Sequence, residues 1–364
     1  KSIPYVVKPE DITPGIANFY ASTYYDGMDY ANVLVKTREG RPIFIKGNKT
    51  HGLGHGAVNA RINGSVLELY DEERLRGPVD AKGGEMDWAS VDSMMSQVLT
   101  NANSIRVLSS TIISTTTKNA MAAFSAKYAG KVKHVQYDAV SYFGLTSAHG
   151  EAFGKAVVPQ YHFDKAQVVV SVGADFLGSW LTSNLYQGDY AAARRPESGK
   201  MSKHYQFESN MSLTGSNADV RIPIKPSQEG KVIAAIYGAL SGQSVSVDGI
   251  DAAMIAKVAE ELKNNAGASL VVSGSNDVNV QKVVLAINKM LNNYEATINM
   301  DAHLNLYAGN DTAVSELLGE MNAGTVDVLI IHQANPVYDL SNLNFADALS
   351  KVNTSISFAL YRDE

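Results

Sequence analysis

Two stretches of the chain have the pattern of buried parallel strands that end at one edge of a sheet. They are QVVVSVGADFLGSW (residues 167–180) and VDVLIIHQANPVYDL (residues 326–340). Each is a continuous apolar run that breaks into a polar turn, GAD at 173–175 or NP at 335–336, as strands of parallel sheets do where they enter a βα loop. In open α/β sheets such loops line the crevice where ligands bind. The sequence therefore predicts an α/β fold with a crevice at its strand ends.

From Tyr20 to about Trp88 the residues predict short strands and turns, and residues 88–102 have the apolar spacing of an amphipathic helix. VLVKTREGRPIFIKGN (residues 33–48) alternates apolar and polar positions on both sides of Glu39-Gly40, which is typical of a β-hairpin. From residue 105 onward, strand patterns alternate with helix patterns, beginning with a strand at 105–110 and a helix at 118–130. That order requires parallel sheets with right-handed crossovers.

Composition argues against several classes of protein. A chain of 364 residues is longer than one hydrophobic core usually grows, so we expect two or three compact units. The net charge of −6 provides no dense basic surface, which argues against a nucleic-acid partner. No stretch approaches the roughly 20 apolar residues that cross a bilayer, so no direct membrane span is predicted. The chain has no cysteine and therefore lacks the commonest soft ligand of metal ions and clusters.

The common catalytic motifs are missing from the sequence. It contains no GxSxG elbow and no HExxH helix, and the turn after residues 168–172 has no GxGxxG pattern, which disfavours a nicotinamide cofactor. The eight histidines do not form a ligand set. His51 and His55 are four residues apart, but the glycines around them argue against a helix that would present both to a metal.

Taken in order, several segments resemble the molybdopterin oxidoreductase superfamily over nearly the whole chain. They are STYYDGMDYANVLVKTREGRPIFIKGN (residues 22–48), GHGAVNARINGSVLELYDEERLRGPV (54–79), VVVSVGADF (168–176), NADVRIPIKPSQEGK (217–231) and VLIIHQANP (328–336). The resemblance implies an α/β fold like domains I–III of formate dehydrogenase and DMSO reductase. Such a fold has a β-rich N-terminal lobe and two parallel-sheet αβα units.

The sequence departs from that superfamily where cofactors would be held. The resemblance places cluster cysteines near residues 24–28 and 57–60, and none is present, so no iron–sulfur cluster is expected in this segment. The family's metal ligand would fall near Ser141, the residue there that could serve. A Ser-Gln pair at 227–228 replaces the Gly-Thr pair that lets a pterin nucleotide approach the backbone. We therefore expect a crevice without cofactor or metal.

Within the superfamily, four phrases are most similar to the large iron–sulfur subunit of alternative complex III, a bacterial quinol oxidoreductase. They are ASTYYDG (residues 21–27), DYANVLVKTREGRPI (29–43), HYQFESNMSLTGSNAD (204–219) and QANPVYDL (333–340). In that family the molybdopterin-like half carries no cofactor, and the iron–sulfur clusters lie further along the polypeptide. The resemblance implies a catalytically silent structural and docking module, which serves electron transfer from quinol to a cytochrome or oxidase. It also implies the periplasmic side of the bacterial inner membrane, with membrane-anchor and multihaem cytochrome c subunits as partners.

The resemblance further implies a discontinuous domain layout. An N-terminal lobe covers residues 1–104, one αβα unit combines residues 105–135 with 250–364, and a second αβα unit, residues 136–249, is inserted into it. SISFALYRDE (residues 355–364) is a strand with nothing after it to complete a βα unit, so we expect the C-terminus to be truncated. The residues expected to line the vestigial crevice, none with a catalytic role, are Ser141, Ser171, Gly173, Asp175, Glu208, Thr214, Lys225, Asn335 and Pro336.

Two other functions are compatible with the sequence. One is an active oxidoreductase whose molybdenum or tungsten pterin is ligated through Ser141, which metal analysis would reveal. The other is a small-molecule binding domain that reuses the crevice. A nucleotide at 100 times its dissociation constant would then add about 2.7 kcal/mol of stability.

Overall fold

The computed structural model describes residues 7, 10–51, 53–199 and 201–364, and it divides the chain into two compact units. Unit 1 comprises Lys1–Tyr70 and Pro159–His303, and unit 2 comprises Asp71–Val158 and Leu304–Glu364. Each unit therefore contains two separate segments of sequence, as a discontinuous domain layout requires.

The described strands are β1 (Asn18–Tyr25), β2 (Tyr30–Arg38), β3 (Arg41–Gly47), β4 (Ile105–Ser109), β5 (Val132–Gln136), β6 (Val158–Tyr161), β7 (Val168–Val172), β8 (Lys203–Glu208), β9 (Val220–Pro223), β10 (Ser269–Ser273), β11 (Ile298–Leu304), β12 (Val328–His332) and β13 (Thr354–Phe358). The described α-helices are α1 (Ala60–Gly64), α2 (Trp88–Asn101), α3 (Thr115–Lys127), α4 (Phe143–Phe153), α5 (Ser183–Ala193), α6 (Leu213–Ser216), α7 (Glu229–Leu240), α8 (Ala252–Asn264), α9 (Val278–Met290), α10 (Asp311–Asn322), α11 (Pro336–Asp339) and α12 (Phe345–Leu349). Among these described helices, none combines the length and the apolar composition needed to cross a membrane.

The N-terminal part of unit 1 is a three-stranded antiparallel sheet in the order β1-β2-β3. Glu39 and Gly40 connect β2 to β3, and their φ angles of 52° and 77° are those of a tight two-residue hairpin turn. The predicted hairpin is therefore confirmed. Val33 and Ile45 pack against Ile62 of α1 in a small buried cluster that holds this sheet to the following helix.

A four-stranded parallel sheet, ordered β10-β7-β8-β9, forms the centre of unit 1. Every residue of β7 and β10 is buried, which explains why these strands are nearly uninterrupted apolar runs. The apolar faces of α7, α8 and α9 cover one side of the sheet. On the other side, alternate positions of β8 present His204, Gln206 and Glu208. Strands β6 and β11 form a separate two-stranded sheet.

Unit 2 contains a second parallel sheet, ordered β13-β12-β4-β5. Successive residues of β4 point to opposite faces, so Leu108 packs with α10 and α12 while Val107 packs with α2 and α3. Helices on both faces of a parallel sheet make an αβα unit. The predicted α/β class with parallel sheets is confirmed.

The boundaries between units differ from the predicted layout. The prediction groups residues 250–303 with residues 105–135, but β10 pairs with β7, which places these residues in unit 1. Residues 71–104, predicted to belong to the N-terminal lobe, lie in unit 2 because Leu99 of α2 packs on β4 and β12. Residues 136–158, predicted to begin the inserted unit, also belong to unit 2. Local sequence pattern identifies a strand but not the neighbour with which it pairs.

Candidate functional site

The predicted crevice residues divide between the two units. Main-chain hydrogen bonds join the strand ends of unit 1, since Gly173 N donates to Phe207 O (2.8 Å) and Ile224 N donates to Glu208 O (3.0 Å). The structure therefore groups the unit 1 residues at the carboxyl edge of one sheet, and their role as the lining of a crevice stays a prediction. Those in unit 1 are Ser171, Gly173, Asp175, Glu208, Thr214 and Lys225, and those in unit 2 are Ser141, Asn335 and Pro336.

Asp175 and Thr214 join the loop after β7 to the helix α6 that follows β8. Asp175 Oδ1 accepts hydrogen bonds from the Thr214 hydroxyl (2.7 Å) and from Thr214 N (3.1 Å). The Thr214 hydroxyl in turn accepts a hydrogen bond from Leu177 N at 2.8 Å. Thr214 is fully buried, so these bonds satisfy groups that water does not reach. The two polar residues thus fix the loops to each other.

Glu208 lies at the end of β8 and is 4% exposed. Its carboxylate accepts hydrogen bonds from Arg221 Nε (2.5 Å), Ser212 Oγ (2.6 Å) and Gln206 Nε2 (3.2 Å). Burial disfavours the charged form, but the hydrogen bonds from Ser212 and Arg221 outweigh it and hold the pKa of Glu208 below its usual value. Glu208 is therefore an ionised carboxylate whose acceptor oxygens are occupied by its own chain.

Two glycines allow these carboxylates to come so close to the backbone. A Cβ atom on Gly215 would lie 1.9 Å from Glu208 Oε1, and one on Gly178 would lie 2.0 Å from Asp175 Oδ2. Both distances are far below van der Waals contact, so any larger residue would displace the carboxylate. The strand-end loops of unit 1 are therefore packed around their own acidic side chains.

We expect Gly215→Ala to lower the free energy of unfolding by about 1–3 kcal/mol, because the added methyl group overpacks the buried Glu208 carboxylate. Urea titration followed by circular dichroism would measure the change. Gly64→Ala is the matched control, since a Cβ atom at Gly64 meets no atom within 4 Å. Equal stability of the two variants would contradict the close packing around Glu208.

Ser171 and Lys225 have local structural contacts at the same sheet edge. The buried Ser171 hydroxyl donates to Ala174 O at 2.9 Å and so closes the turn after β7. Lys225 N donates to Gln228 Oε1 at 2.8 Å, which begins the short turn leading into α7. Both residues thus shape loops of unit 1.

His204 continues the polar row of β8 into the interior of unit 1. Its Nε2 lies 3.2 Å from Gln206 Oε1, and its Nδ1 lies 3.1 Å from the Tyr190 hydroxyl oxygen. Burial lowers the pKa of His204 to about 4, although the hydrogen bond that the ring donates to Gln206 Oε1 favours the charged form. The imidazole is therefore neutral at physiological pH.

We expect acidification to destabilise the chain through His204. Its pKa falls from 6.5 to about 4 on folding, so the unfolded state binds the extra proton between these values. The stability that depends on the neutral ring is complete above pH 6.5 and is lost as the pH falls toward 4, a loss of about 3 kcal/mol. Chemical unfolding at several pH values, compared with His204→Gln, measures this difference. Parallel pH profiles for the two proteins would contradict it.

In unit 2, Ser141 lies just before α4 and is bonded to an acidic residue. Its hydroxyl donates to the Asp311 carboxylate, with distances of 2.8 and 2.9 Å to the two oxygens, and accepts from Phe143 N at 3.1 Å. Helix α4 begins two residues later at Phe143 and ends before Gly154, whose φ is 71°. Ser141 therefore links the first residue of α4 to Asp311.

The contacts of Ser141 do not fit a metal-bound pterin. A serine ligates a metal after its hydroxyl loses its proton, whereas this proton is donated to the Asp311 carboxylate. An alkoxide beside that carboxylate would place two negative charges in contact. The chain also has no cysteine that could take its place. The residues present thus do not form the donor set that the superfamily's cofactor needs.

Asn335 and Pro336 form the turn after β12, as the sequence predicts for a strand that enters a βα loop. Pro336 is the first residue of α11, and Asn335 Oδ1 caps this short helix by accepting from Tyr338 N at 3.3 Å. Asn335 Nδ2 donates to Glu364 Oε2 at 2.6 Å. Both residues therefore stabilise the turn between β12 and α11.

A second group of polar residues in unit 1 was not predicted from the sequence, in which the eight histidines form no ligand set. Ligand atoms of His162, Asp164 and Asp189 all lie within 4.8 Å of one another. His55 Nε2 lies 3.8 Å from Asp189 Oδ1. Burial, followed by the neighbouring Asp164 charge, raises the pKa of Asp189 to about 7. The His-x-Asp pattern at 162–164 is a weak signal, because Asp189 is distant in sequence.

Comparisons with known proteins support the predicted superfamily. No protein-family model matches the chain. It is 21% identical over 404 aligned positions to the menaquinone reductase, molybdopterin-binding-like subunit, of Nitratidesulfovibrio vulgaris (Hildenborough), which covers 91% of this chain and 54% of that protein. The acetylene hydratase of Pelobacter acetylenicus matches with a TM-score of 0.62 at 10% identity, covering 93% of this chain and 58% of that structure.

The structural match shows a shared fold, and both matches cover only part of the relative's length. At 10% identity the structural likeness shows a shared fold, and it extends over nearly the whole chain. The chain spans little more than half the length of either relative. The resemblance to the molybdopterin oxidoreductase-like superfamily is thus confirmed at the level of the fold.

Proposed function

We propose, from its molybdopterin oxidoreductase-like fold, that this chain is a catalytically silent structural and docking module of a respiratory quinol oxidoreductase complex. In this role it binds neighbouring subunits, while iron–sulfur clusters and haems elsewhere in the complex transfer the electrons. We assign the complex to the alternative complex III type, on the periplasmic side of the bacterial inner membrane. The partners of the chain are then membrane-anchor and multihaem cytochrome c subunits.

The observation that carries this proposal is that the strand-end carboxylates in unit 1 already accept hydrogen bonds from their own chain. Glu208 accepts from Arg221, Ser212 and Gln206, and Asp175 accepts from Thr214. A pterin nucleotide is anionic, so it would meet two carboxylates at this edge and would have to break these bonds to approach the backbone. The edge is therefore built to be stable without such a ligand.

The curated relative supports the assignment to a quinone-linked complex. Its name describes a subunit of menaquinone reductase that is like a molybdopterin-binding protein. A subunit with this fold in a quinone-linked complex is the arrangement that we propose here. The four phrases similar to the alternative complex III subunit support the finer assignment.

The test is to purify the complete complex through an affinity tag on the protein that contains this chain. We expect its molybdenum and tungsten content, measured by plasma mass spectrometry, to be far below one atom per chain. We also expect c-type haem subunits and membrane-anchor subunits to be retained, as identified by absorption spectra and peptide mass spectrometry. Recovery of the protein without any partner subunit would contradict a docking role.

Metal content also separates this proposal from an active pterin enzyme. Stoichiometric molybdenum or tungsten that is lost in a Ser141→Ala variant would establish an enzyme ligated through Ser141 and would overturn the silent module. A small-molecule binding domain makes a different prediction, namely that added nucleotides raise the melting temperature of the chain. The silent module predicts no such change.

A further inference from the structure

His162 and Asp164 are directed to one place by the packing of the residues beside them. Tyr161 and Phe163 are buried and pack against Tyr186 of α5. Residues 163–165 form a turn in which Lys165 N donates to His162 O at 3.2 Å, and this turn brings His162 Nδ1 to 3.8 Å from Asp164 Oδ1. His162 N donates to Thr297 O at 2.8 Å, which anchors the segment.

Asp189 reaches the same place from helix α5. It lies three residues after Tyr186 and therefore on the same side of the helix, which faces the 161–164 segment. His55 comes from a third part of the chain and lies opposite Asp189, with 3.8 Å between Nε2 and Oδ1. His162, Asp164 and Asp189 thus converge from two segments of unit 1, and His55, from a third segment, lies beside Asp189.

The distances in this group are too long for hydrogen bonds and close to those of ligands that share one ion. His162 Nδ1 lies 3.8 Å from Asp164 Oδ1, the same separation as in the pair of His55 and Asp189. Nitrogen and oxygen ligands lie about 2.0–2.2 Å from zinc, which places them roughly 3.3–3.6 Å apart in a tetrahedral site. The largest separation among the ligand atoms of His162, Asp164 and Asp189 is within 4.8 Å, so small side-chain rotations would complete the site.

The charges in this group favour a cation. The side chain of Asp189 is 17% exposed, and its ion-pair partner among the described residues is the exposed His55. Asp164 adds a second carboxylate, and Lys165 is the nearby positive charge that acts on both Asp189 and His162. A divalent ion would offset the repulsion between the two carboxylates more fully than one lysine on a mobile side chain.

We propose that His162, Asp164, Asp189 and His55 form a structural binding site for a divalent cation of the zinc type. Imidazole and carboxylate together are ligands that zinc uses in proteins, and four protein ligands are typical of a structural site. The ion would fasten the 162–164 segment and the short turn containing His55 to helix α5. This site is independent of the proposed docking function.

The test is to titrate the chelator-treated chain with zinc chloride and to measure binding by isothermal titration calorimetry. We expect one zinc ion per chain, and we expect Asp189→Asn and His162→Gln each to weaken binding by more than ~10-fold. His303→Gln is the matched control, because His303 belongs to unit 1 and its ring bonds to Met300 O instead. Lys165→Gln should strengthen binding, since it removes the competing positive charge.

Two outcomes would overturn the proposal: no saturable zinc binding by the parent chain, or equal affinities in the parent and the Asp189→Asn and His162→Gln variants. If the half-buried positions of Asp189 and His162 do not tolerate substitution, Asp164→Asn supplies the comparison, because the side chain of Asp164 is 38% exposed. Cobalt(II) gives an independent readout on the unmodified chain. The site is supported if bound cobalt(II) has the visible spectrum of a tetrahedral complex and this spectrum disappears when zinc is added. A spectrum typical of octahedral cobalt(II) that does not change on adding zinc opposes it.

Discussion

Replacing Glu208 with alanine should lower the free energy of unfolding by about 3–5 kcal/mol, the cost typical of breaking a buried ion pair. The Glu208 side chain is 5% exposed, and its removal leaves Arg221 and Ser212 without an acceptor in the interior of unit 1. Arg221 is 26% exposed and regains some water, which places the expected value toward the lower end of this range.

The measurement is urea unfolding of the parent chain, Glu208→Ala and Glu208→Gln. Glu260→Ala is the control, because Glu260 is an exposed glutamate in the same unit. Glutamine keeps the shape and part of the hydrogen bonding, so Glu208→Gln should lose less stability than the alanine variant. A loss in Glu208→Ala no larger than that in Glu260→Ala would show that the carboxylate does not organise the strand ends.

The pH dependence of the same variants tests the charge of Glu208. Its folded pKa is below its unfolded value, so the unfolded state binds more protons as the pH falls. The stability contributed by the ionised form is present above the ordinary carboxyl pKa and is lost when acid protonates the folded state. Glu208→Gln cannot lose this contribution, so its stability should depend less on pH in the acidic range.

The fold class was predictable because a buried strand consists mostly of apolar residues, a pattern that is visible in the sequence. Strands β7 and β12 are apolar runs, since a parallel strand that is buried on both faces contacts little water. The hairpin at Glu39-Gly40 was predictable because apolar and polar positions alternate on both sides of a turn that contains glycine, the residue that best tolerates positive φ. The boundaries between units were not predictable from local pattern. The parallel pairing of β10 with β7 joins segments about 100 residues apart. The apolar sequence of a strand does not determine which other strand it pairs with.

The sequence indicated where the strand-end residues lie, but not the bonds between them. The alternation of polar and aromatic residues in HYQFES (204–209) shows that one face of β8 is polar. The partner Arg221 lies on β9, beside Gln206 in the register, and only pairing of the strands brings it to Glu208. The proximity of His162 and His55 to Asp189 was not predicted for the same reason, because tertiary packing brings these residues together. Side chains that meet across distant segments leave no periodic signal.

Phe163→Ala should also destabilise the chain by about 3–5 kcal/mol, the range found when a buried aromatic ring is removed from a core. Phe163 and Phe176 are both fully buried, and their rings stack with centroids 4.2 Å apart. Phe163 also contacts Tyr186 of α5, with ring centroids 5.0 Å apart. Alanine would leave a cavity among these rings because the surrounding aromatic side chains cannot close it fully.

The effect of Phe163→Ala should extend to the cation site, because Phe163 lies between His162 and Asp164 in the chain. Loss of its contact with Tyr186 frees the 162–164 segment relative to α5, so zinc affinity should fall although no ligand atom is changed. Phe44→Ala is the matched control, since Phe44 is in the same unit and 47% exposed, and it should alter neither stability nor zinc binding appreciably. If Phe163→Ala loses stability but binds zinc as tightly as the parent chain, the segment is held by the ion itself and not by the aromatic cluster.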